Sequence, residues 1–153
     1  IVFRFLIQVV SVDGSSMAPT LQDGDRLISS NLFYTPEYGD IVILSENTGL
    51  NEALVKRIIA VAGQTVDINE NGEVVVDGKV LSEPYIAETI SDNRRGDFDY
   101  PVTVPEGMVF VMGDNRNHST DSRFSAVGFI DEDEILGRVI FRLLPLDKIG
   151  PVR

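Results

Sequence analysis

Apolar and polar residues alternate along several short segments of the chain, and glycine, proline and acidic residues separate these segments. Short segments of this kind, either alternating or apolar throughout and bounded by turn residues, predict β-strands. Such segments occur at Arg26–Ser30, Asp40–Leu44, Leu54–Val61, Glu73–Val76, Lys79–Leu81, Pro101–Val104, Met108–Met112 and Ile135–Leu144. The pattern predicts a mostly β fold of coiled antiparallel sheets, forming a sandwich or partly closed barrel, with a mobile loop or small lobe.

The connections between these segments carry signals of their own. Asp77-Gly78 lies between two predicted strands and is a dipeptide that type I′ hairpin turns prefer. Met17–Leu21 is predicted to be a short helical turn. Ser45–Ala53 and Glu88–Tyr100 are predicted surface loops, and we expect the second to be mobile. No repeat or linker divides the chain, so residues 1–153 are predicted to form one domain.

The first ten residues also alternate, with Ile1, Phe3, Phe5, Ile7 and Val9 on one face. This pattern predicts a strand whose apolar face either fills the core or rests against lipid. The segment is too short to cross a bilayer as a helix, which takes about 20 residues. Because the chain starts on this apolar run without Met, we expect a membrane anchor upstream that this chain lacks.

Charge and composition exclude several classes of function. The chain has 24 acidic against 13 basic residues, a net charge of −11, whereas nucleic-acid binding needs a basic surface. It has no cysteine, which excludes disulfides, zinc–thiolate sites and a thiol nucleophile. His118 is the one histidine and is predicted to be solvated in a loop. We expect no cofactor and no metal; a metal-dependent hydrolase would need an all-carboxylate site.

Lys56 lies in a predicted strand that is apolar on both faces. Leu54 and Ile58 share its face, and the opposite face, which starts at Val55, is also mostly apolar. Strands of this kind are usually buried, and full burial can lower the pKa of a lysine by roughly 3–5. Lys56 is therefore a candidate general base near neutral pH. The alternative is an ordinary strand-edge lysine whose amine reaches solvent.

Two polar segments can supply the other groups of an active site. Ser15 and Ser16 follow a glycine and precede Met-Ala-Pro, so a tight turn can expose a hydroxyl beside a free backbone N–H. Residues 113–123 are dense in the residue types that form compact hydrogen-bonded loops, and Asp121 and Arg123 can pair there. Taken alone, each segment is more typical of a polar surface turn.

Taken together and in this order, the segments resemble the successive motifs of bacterial type I signal peptidases. The matching segments are Gly14-x-Ser16-Met17-x-Pro19-Thr20-Leu21, Gly24-Asp25, Gly39-Asp40, Lys56-Arg57, Gly63 and Gly113-Asp-Asn-Arg-x-x-Ser-x-Asp-Ser-Arg123. The likeness runs from about Val12 to Pro145, and Gly14 is similar to the Gram-positive branch. One departure is Ala60-Val-Ala62-Gly63-Gln64, where the family commonly has Gly-x-Pro-Gly-Asp.

The resemblance implies a role for each matching residue. It implies that Ser16 is the nucleophile, that Lys56 is the general base and that Ser119 orients the lysine. It further implies that Asp121 and Arg123 form an ion pair that supports the loop. The residues expected to line shallow substrate pockets are Val12, Met17, Leu21, Leu54 and Val55.

The function that the resemblance implies is a serine endopeptidase that removes signal peptides from exported preproteins. Its catalytic domain would lie on the extracytoplasmic face of the cell membrane. It would prefer small residues one and three positions before the cleavage site, and its partners would be signal peptides and the lipid surface. Two alternatives stay open: a self-cleaving repressor-type Ser/Lys protease, and a non-catalytic β-domain that binds exported peptides.

Overall fold

The computed structural model describes residues 7–31, 34–50 and 52–152, and within these ranges the chain is built almost entirely of β-strands. The strands are β1 Ile7–Ser11, β2 Arg26–Ser30, β3 Ile41–Leu44, β4 Leu54–Val61, β5 Thr65–Ile68, β6 Val74–Val76, β7 Lys79–Val80, β8 Val102–Thr103, β9 Met108–Met112, β10 Ile130–Asp131, β11 Ile135–Leu144 and β12 Gly150–Pro151. Short 3-10 turns lie at Asp92–Arg94, Arg116–His118, Glu132–Glu134 and Leu146–Lys148.

The strands form two antiparallel sheets. The larger sheet has the order β1-β2-β11-β3-β4-β9-β10, with β12 paired to β11, and the smaller has the order β7-β6-β5-β8. The long strand β11 pairs with both β2 and β3, and its register shifts on both sides, which bends the sheet. The larger sheet is strongly curled. The prediction of a mostly β fold with a partly closed barrel is therefore confirmed, and the smaller sheet is the small lobe.

All eight strands predicted between residues 26 and 144 are present, with ends that differ by at most one residue. The hairpin prediction is also confirmed, because Asp77 and Gly78 have φ of 51° and 81° between β6 and β7, as a type I′ turn requires. The sequence analysis missed β5, whose alternation lasts only four residues, and the short strands β10 and β12. Residues 1–6 of the predicted N-terminal strand lie outside the described residues.

Three apolar clusters fill the space between the strands. One packs β4 and β9 against the smaller sheet, and a second lies under β3, β4 and β9. The third contains Val12, Met17 and Leu21, which pack against Leu27 of β2 and Ile43 of β3. This third cluster anchors the segment between β1 and β2, which carries the candidate nucleophile.

The predicted loop Glu88–Tyr100 is a loop with one 3-10 turn, and it is tied to the rest of the chain at several points. Ile90 is buried in the first cluster. The Arg94 Nη2 donates to the carbonyl of Ser119 at 2.7 Å, and Arg123 Nη1 donates to the carbonyl of Arg94 at 2.8 Å. None of the helical segments in the described ranges has the length and apolarity that crossing a bilayer takes.

Candidate active site

Strand β4 carries Lys56 into the interior, as its two apolar faces predict. Lys56 is only 3% exposed, and Leu54 and Ile58, its neighbours on the same face, belong to one apolar cluster. Loss of hydration lowers the pKa of Lys56 below its ordinary value, and the nearby Arg123 lowers it further, whereas Asp121 and Glu52 partly oppose this change. The surroundings therefore favour the neutral amine, which can accept a proton.

A chain of buried hydrogen bonds holds this amine in place. Lys56 Nζ donates to Ser119 Oγ at 3.1 Å, and Ser119 Oγ donates to Asp121 Oδ2 at 2.9 Å. Arg123 then binds both oxygens of Asp121, through Nε at 2.8 Å and Nη2 at 2.9 Å. Burial alone would raise the pKa of Asp121, but the hydrogen bonds and charge of Arg123 lower it, so the carboxylate stays ionised. Ser119 is thus fixed by an ion pair.

The candidate nucleophile sits in a turn that begins with a glycine. Gly14 has φ of 88°, a region that favours glycine, and its N–H donates to Asp23 Oδ1 at 2.8 Å. A hydrogen-bonded turn follows, in which the Leu21 N–H donates to the Met17 carbonyl at 3.0 Å. A turn therefore forms where a helical turn was predicted, but it contains the cis Ala18-Pro19 bond and is not helical. Met17 and Leu21 are buried in the third cluster, so the turn is anchored immediately after Ser16.

The carbonyl of Ser16 is hydrogen-bonded, whereas its N–H is available to a ligand. Its carbonyl accepts the Asn115 N–H at 2.9 Å, and the Ser15 carbonyl accepts Asn115 Nδ2 at 3.0 Å. Within the described ranges, no protein acceptor takes the Ser16 N–H. This N–H can therefore bind the oxyanion that forms when a carbonyl is attacked beside it.

Gly113 is the point at which the two halves of the site meet. An ideal Cβ on this residue would lie 2.2 Å from Ser119 Oγ and 2.5 Å from the Ser16 carbonyl oxygen. There is no room for a side chain between these atoms. Because Gly113 has none, Ser119 and the backbone of Ser16 can lie this close to each other. The Gly113 N–H also donates to Asp121 Oδ2 at 3.0 Å.

Ser16 and Lys56 line the same open cavity, whose volume is about 620 Å³. One wall is formed by residues 10–17 and another by residues 52–56, with His118 and Thr120 beside them. The site therefore combines a hydroxyl, a buried amine and a free N–H at one groove, which are the parts that acyl transfer through a serine needs.

Comparisons with known proteins show the family of this chain. Residues 1–144 match the family model described as signal peptidase, peptidase S26. A probable signal peptidase I-1 from Synechocystis is 39% identical, over 95% of this chain and 76% of the relative. Signal peptidase I T from Bacillus subtilis is 41% identical, over 95% of this chain and 78% of the relative. The chain belongs to the signal peptidase I family.

A solved signal peptidase I from Enterococcus faecalis has the same fold. It is 32% identical, with a TM-score of 0.55, and the match covers 69% of this chain and 97% of that chain. Members of the signal peptidase I family are serine endopeptidases, so this chain is assigned to the hydrolases. The family resemblance inferred from the motifs is confirmed.

Of the residues expected to line the substrate pockets, all but one line the cavity. Val12, Met17, Leu54 and Val55 all line the cavity. Leu21 is fully buried in the core cluster that supports Met17, and it is not among the cavity-lining residues. His118 is exposed in its loop, as predicted, and it also faces the cavity.

Sequence reasoning did not single out a second set of buried polar contacts around the signal peptidase I site. Arg57, next to Lys56, binds Asp114 through Nε at 2.8 Å and Nη2 at 2.7 Å. Thr20 Oγ1 donates to the same carboxylate at 2.5 Å. Each of these residues lies in a family motif, but the motifs alone do not say which side chains pair. Within the described ranges, no cluster of His, Asp or Glu is arranged to hold a metal ion.

Proposed function

We propose that this protein removes signal peptides from exported preproteins, with Ser16 as nucleophile and Lys56 as general base. The observation that carries the proposal is the Lys56 amine, which is buried, held by Ser119 and placed in the cavity that Ser16 lines. A lysine stripped of water can accept a proton at neutral pH, and a serine hydroxyl needs such a partner because it is a weak nucleophile by itself.

The reaction follows from the groups around the cavity. Neutral Lys56 takes the proton of Ser16 Oγ as the oxygen attacks the scissile carbonyl, and the Ser16 N–H binds the oxyanion that develops. Protonated Lys56 then gives its proton to the leaving amine, which departs as the N-terminus of the mature protein. Water, deprotonated by the same amine, hydrolyses the ester and frees the signal peptide. Ser119, held by Asp121 and Arg123, keeps the amine directed at these atoms.

The open edge of β4 supports binding of the substrate as an added strand. Residues Leu54–Lys56 pair with β3 on one side, whereas on the other side β9 pairs with β4 only from Arg57 onward. An extended peptide can use these backbone groups. Val12, Met17, Leu54 and Val55 offer apolar walls around the groove, which suits small residues one and three positions before the cleavage site.

The outer face of β1 and its neighbours supports action at a membrane surface. Ile7 and Val9 are each 58% exposed, which excludes the alternative that they fill the core. Ile7 pairs with Ser30 of β2, and Val9 pairs with Ile28. Ile28 also pairs with Phe141 of β11. Partly exposed apolar side chains therefore continue across the sheet. Such a face would rest against lipid, on the extracytoplasmic side of the cell membrane.

The two alternatives raised by the sequence have less support. Membership of the signal peptidase I family argues against a self-cleaving repressor-type protease. A non-catalytic peptide-binding domain would have no use for a buried lysine amine beside an exposed hydroxyl, since burying that amine costs stability.

The experiment that tests the proposal compares Ser16→Ala, Lys56→Ala and Ser15→Ala in cleavage of a preprotein with an Ala-x-Ala site. We expect the first two variants to lose cleavage by about a millionfold, to background, because they remove the nucleophile and its base. Ser15→Ala is the matched control and should keep activity. Circular dichroism checks that all three fold. Cleavage by folded Ser16→Ala would overturn the assignment.

A further inference from the structure

Tyr85 lies directly against the cation that follows Lys56. The centre of its ring is 3.8 Å from the guanidinium carbon of Arg57, a distance at which the face of the ring attracts a cation. Tyr85 belongs to the segment between β7 and β8, the connection inside the small sheet, and follows Arg57 by 28 residues. Its hydroxyl reaches Glu83 at 2.9 Å and Tyr38 at 3.0 Å.

Glu83 binds the loop that carries Ser119. Its oxygens accept Arg116 Nη1 at 3.0 Å and Nη2 at 2.6 Å, and both side chains are buried. Arg116 Nε donates in turn to the carbonyl of Gly113 at 2.9 Å. Glu83 therefore fixes the residue at which Ser119 and the Ser16 backbone meet.

Arg57 completes the connection to the nucleophile. The carboxylate of Asp114 that binds Arg57 also accepts the Thr20 hydroxyl, and Thr20 lies in the turn that follows Ser16. The Glu83–Tyr85 segment thus touches β4 through Arg57 and the Ser119 loop through Arg116. Buried ion pairs contribute little net stability, but their geometry is specific. A role in holding the site fits them better than a role in holding the fold.

We propose that Tyr85 and Glu83 are positioning residues for the reaction, which clamp Arg57 and Arg116 so that the Lys56 amine stays dry and aligned between Ser119 and Ser16. This inference rests on the proposed function, because it concerns the same dyad. Neither residue lines the substrate cavity, so neither is expected to contribute to binding of the peptide.

Loosening the clamp should let water reach the Lys56 amine. The charged groups that face this amine are Asp121, Arg123 and Glu52, and Asp13 and His118 line the same cavity. None of these is changed by substitution of Tyr85. Since lost hydration is the main cause of the lowered pKa of Lys56, added water should move that pKa upward and leave less neutral amine at pH 7.

The test measures the pH dependence of kcat/KM for Tyr85→Leu, Tyr85→Phe and the control Phe129→Leu. Phe129 packs against Phe98 and Phe110 in another part of the core, so its replacement removes a ring without touching Arg57. For Tyr85→Leu we expect the acid limb of the pH profile to move to higher pH. The kcat at pH 7 should fall about tenfold for each pH unit by which the limb moves, and KM should be unchanged. Tyr85→Phe keeps the ring and should keep the acid limb, as should Phe129→Leu.

Glu83→Gln provides a second comparison, with Glu88→Gln as its control, since Glu88 accepts a long 3.3 Å bond from half-buried Asn117. We expect the same upward movement for Glu83→Gln and none for Glu88→Gln. The comparison of Glu83→Gln with Glu88→Gln also tests the positioning role if Tyr85→Leu does not fold.

Two outcomes would overturn the clamp. One is a folded Tyr85→Leu or Glu83→Gln with the acid limb of the wild type, and the other is an equal shift in Phe129→Leu. Failure of the dyad itself is seen separately, as cleavage by Ser16→Ala or an acid limb that survives Lys56→Ala.

Discussion

A single buried lysine, the proposed general base, also affects the stability of the protein. Lys56 has three possible surroundings for its amine: water, a carboxylate partner or an apolar interior. Its one described hydrogen bond is to a neutral hydroxyl, and Asp121 lies beyond that hydroxyl. Loss of hydration therefore outweighs the attraction of Asp121, and the pKa falls. A proton-accepting amine therefore lowers the stability of the folded state, because the unfolded chain binds a proton at this amine over a pH range in which the folded chain does not.

Lys56→Met should accordingly stabilise the domain while abolishing activity. Between the lowered pKa of the folded state and the ordinary value of 10.5, the unfolded chain binds more protons, so wild-type stability rises with pH in this window. The advantage of Met should be largest at and below the folded-state pKa and should shrink as pH approaches 10.5. It amounts to about 1.4 kcal/mol for each pH unit by which the pKa is lowered.

Urea unfolding at several pH values measures this difference. Lys79→Met is the control, since Lys79 is an exposed lysine of β7. An equal, pH-independent change in both variants would contradict the account of Lys56.

At the scale of elements, the end of β9 decides whether the site forms. The strand finishes at Met112, and Gly113 then passes between Ser119 Oγ and the Ser16 carbonyl. Two segments that are distant in sequence meet there: the serine turn, and the 113–123 loop, which also carries the lysine-binding serine. Packing at this density leaves no room for even a methyl group.

Gly113→Ala should therefore push the two halves of the site apart. We expect a loss of about 1–3 kcal/mol in stability from overpacking, and a fall in kcat of about a hundredfold from displacement of the reacting groups. Gly137→Ala in β11 is the control, because its Cβ would meet the Ser30 carbonyl oxygen at 3.2 Å, away from the cavity. Thermal unfolding and peptide cleavage report the two effects. Gly113→Ala with wild-type kcat would show that the close contact between Ser119 and the Ser16 backbone is not needed for cleavage.

At the scale of the whole molecule, the curled sheet presents different properties on its two sides. Its inner side holds the apolar clusters and the cavity, whereas Ile7 and Val9 face outward, and Leu146 and Ile149 are also more than half exposed. With a net charge of −11, the protein gains little from anionic lipid, so attraction to a membrane would have to come from such apolar side chains.

The double variant Ile7→Ser, Val9→Ser should bind neutral lipid vesicles about tenfold more weakly, because it removes two apolar side chains from the contact. Cleavage of a preprotein embedded in vesicles should slow, while cleavage of a short soluble peptide should not. Val80→Ser, which changes an exposed valine of the small sheet, should behave as wild type. Vesicle flotation measures binding, and equal flotation of both variants would exclude this face as the lipid contact.

Much of the fold could be predicted because the signals are local. Short alternating or apolar segments between turn residues identified the long strands. Asp77-Gly78 predicted its hairpin, since turn chemistry depends on neighbouring residues alone. The strand β5 was missed because four residues carry too little periodicity, and only its pairing with β6 and β8 makes it a strand. For Lys56 the sequence left two interpretations open, a buried amine and a strand-edge lysine that reaches solvent. The structure shows the buried one, as expected for a strand that is apolar on both faces.

The sequence by itself determined most of the strands, the motif residues and the family. The tertiary structure alone decided which distant side chains touch: Lys56 with Ser119, Glu83 with Arg116, and Tyr85 with Arg57. The physical reason is that burial and pairing of charges depend on atoms brought together by folding, and residues tens of positions apart leave no periodic trace of such contacts in the chain.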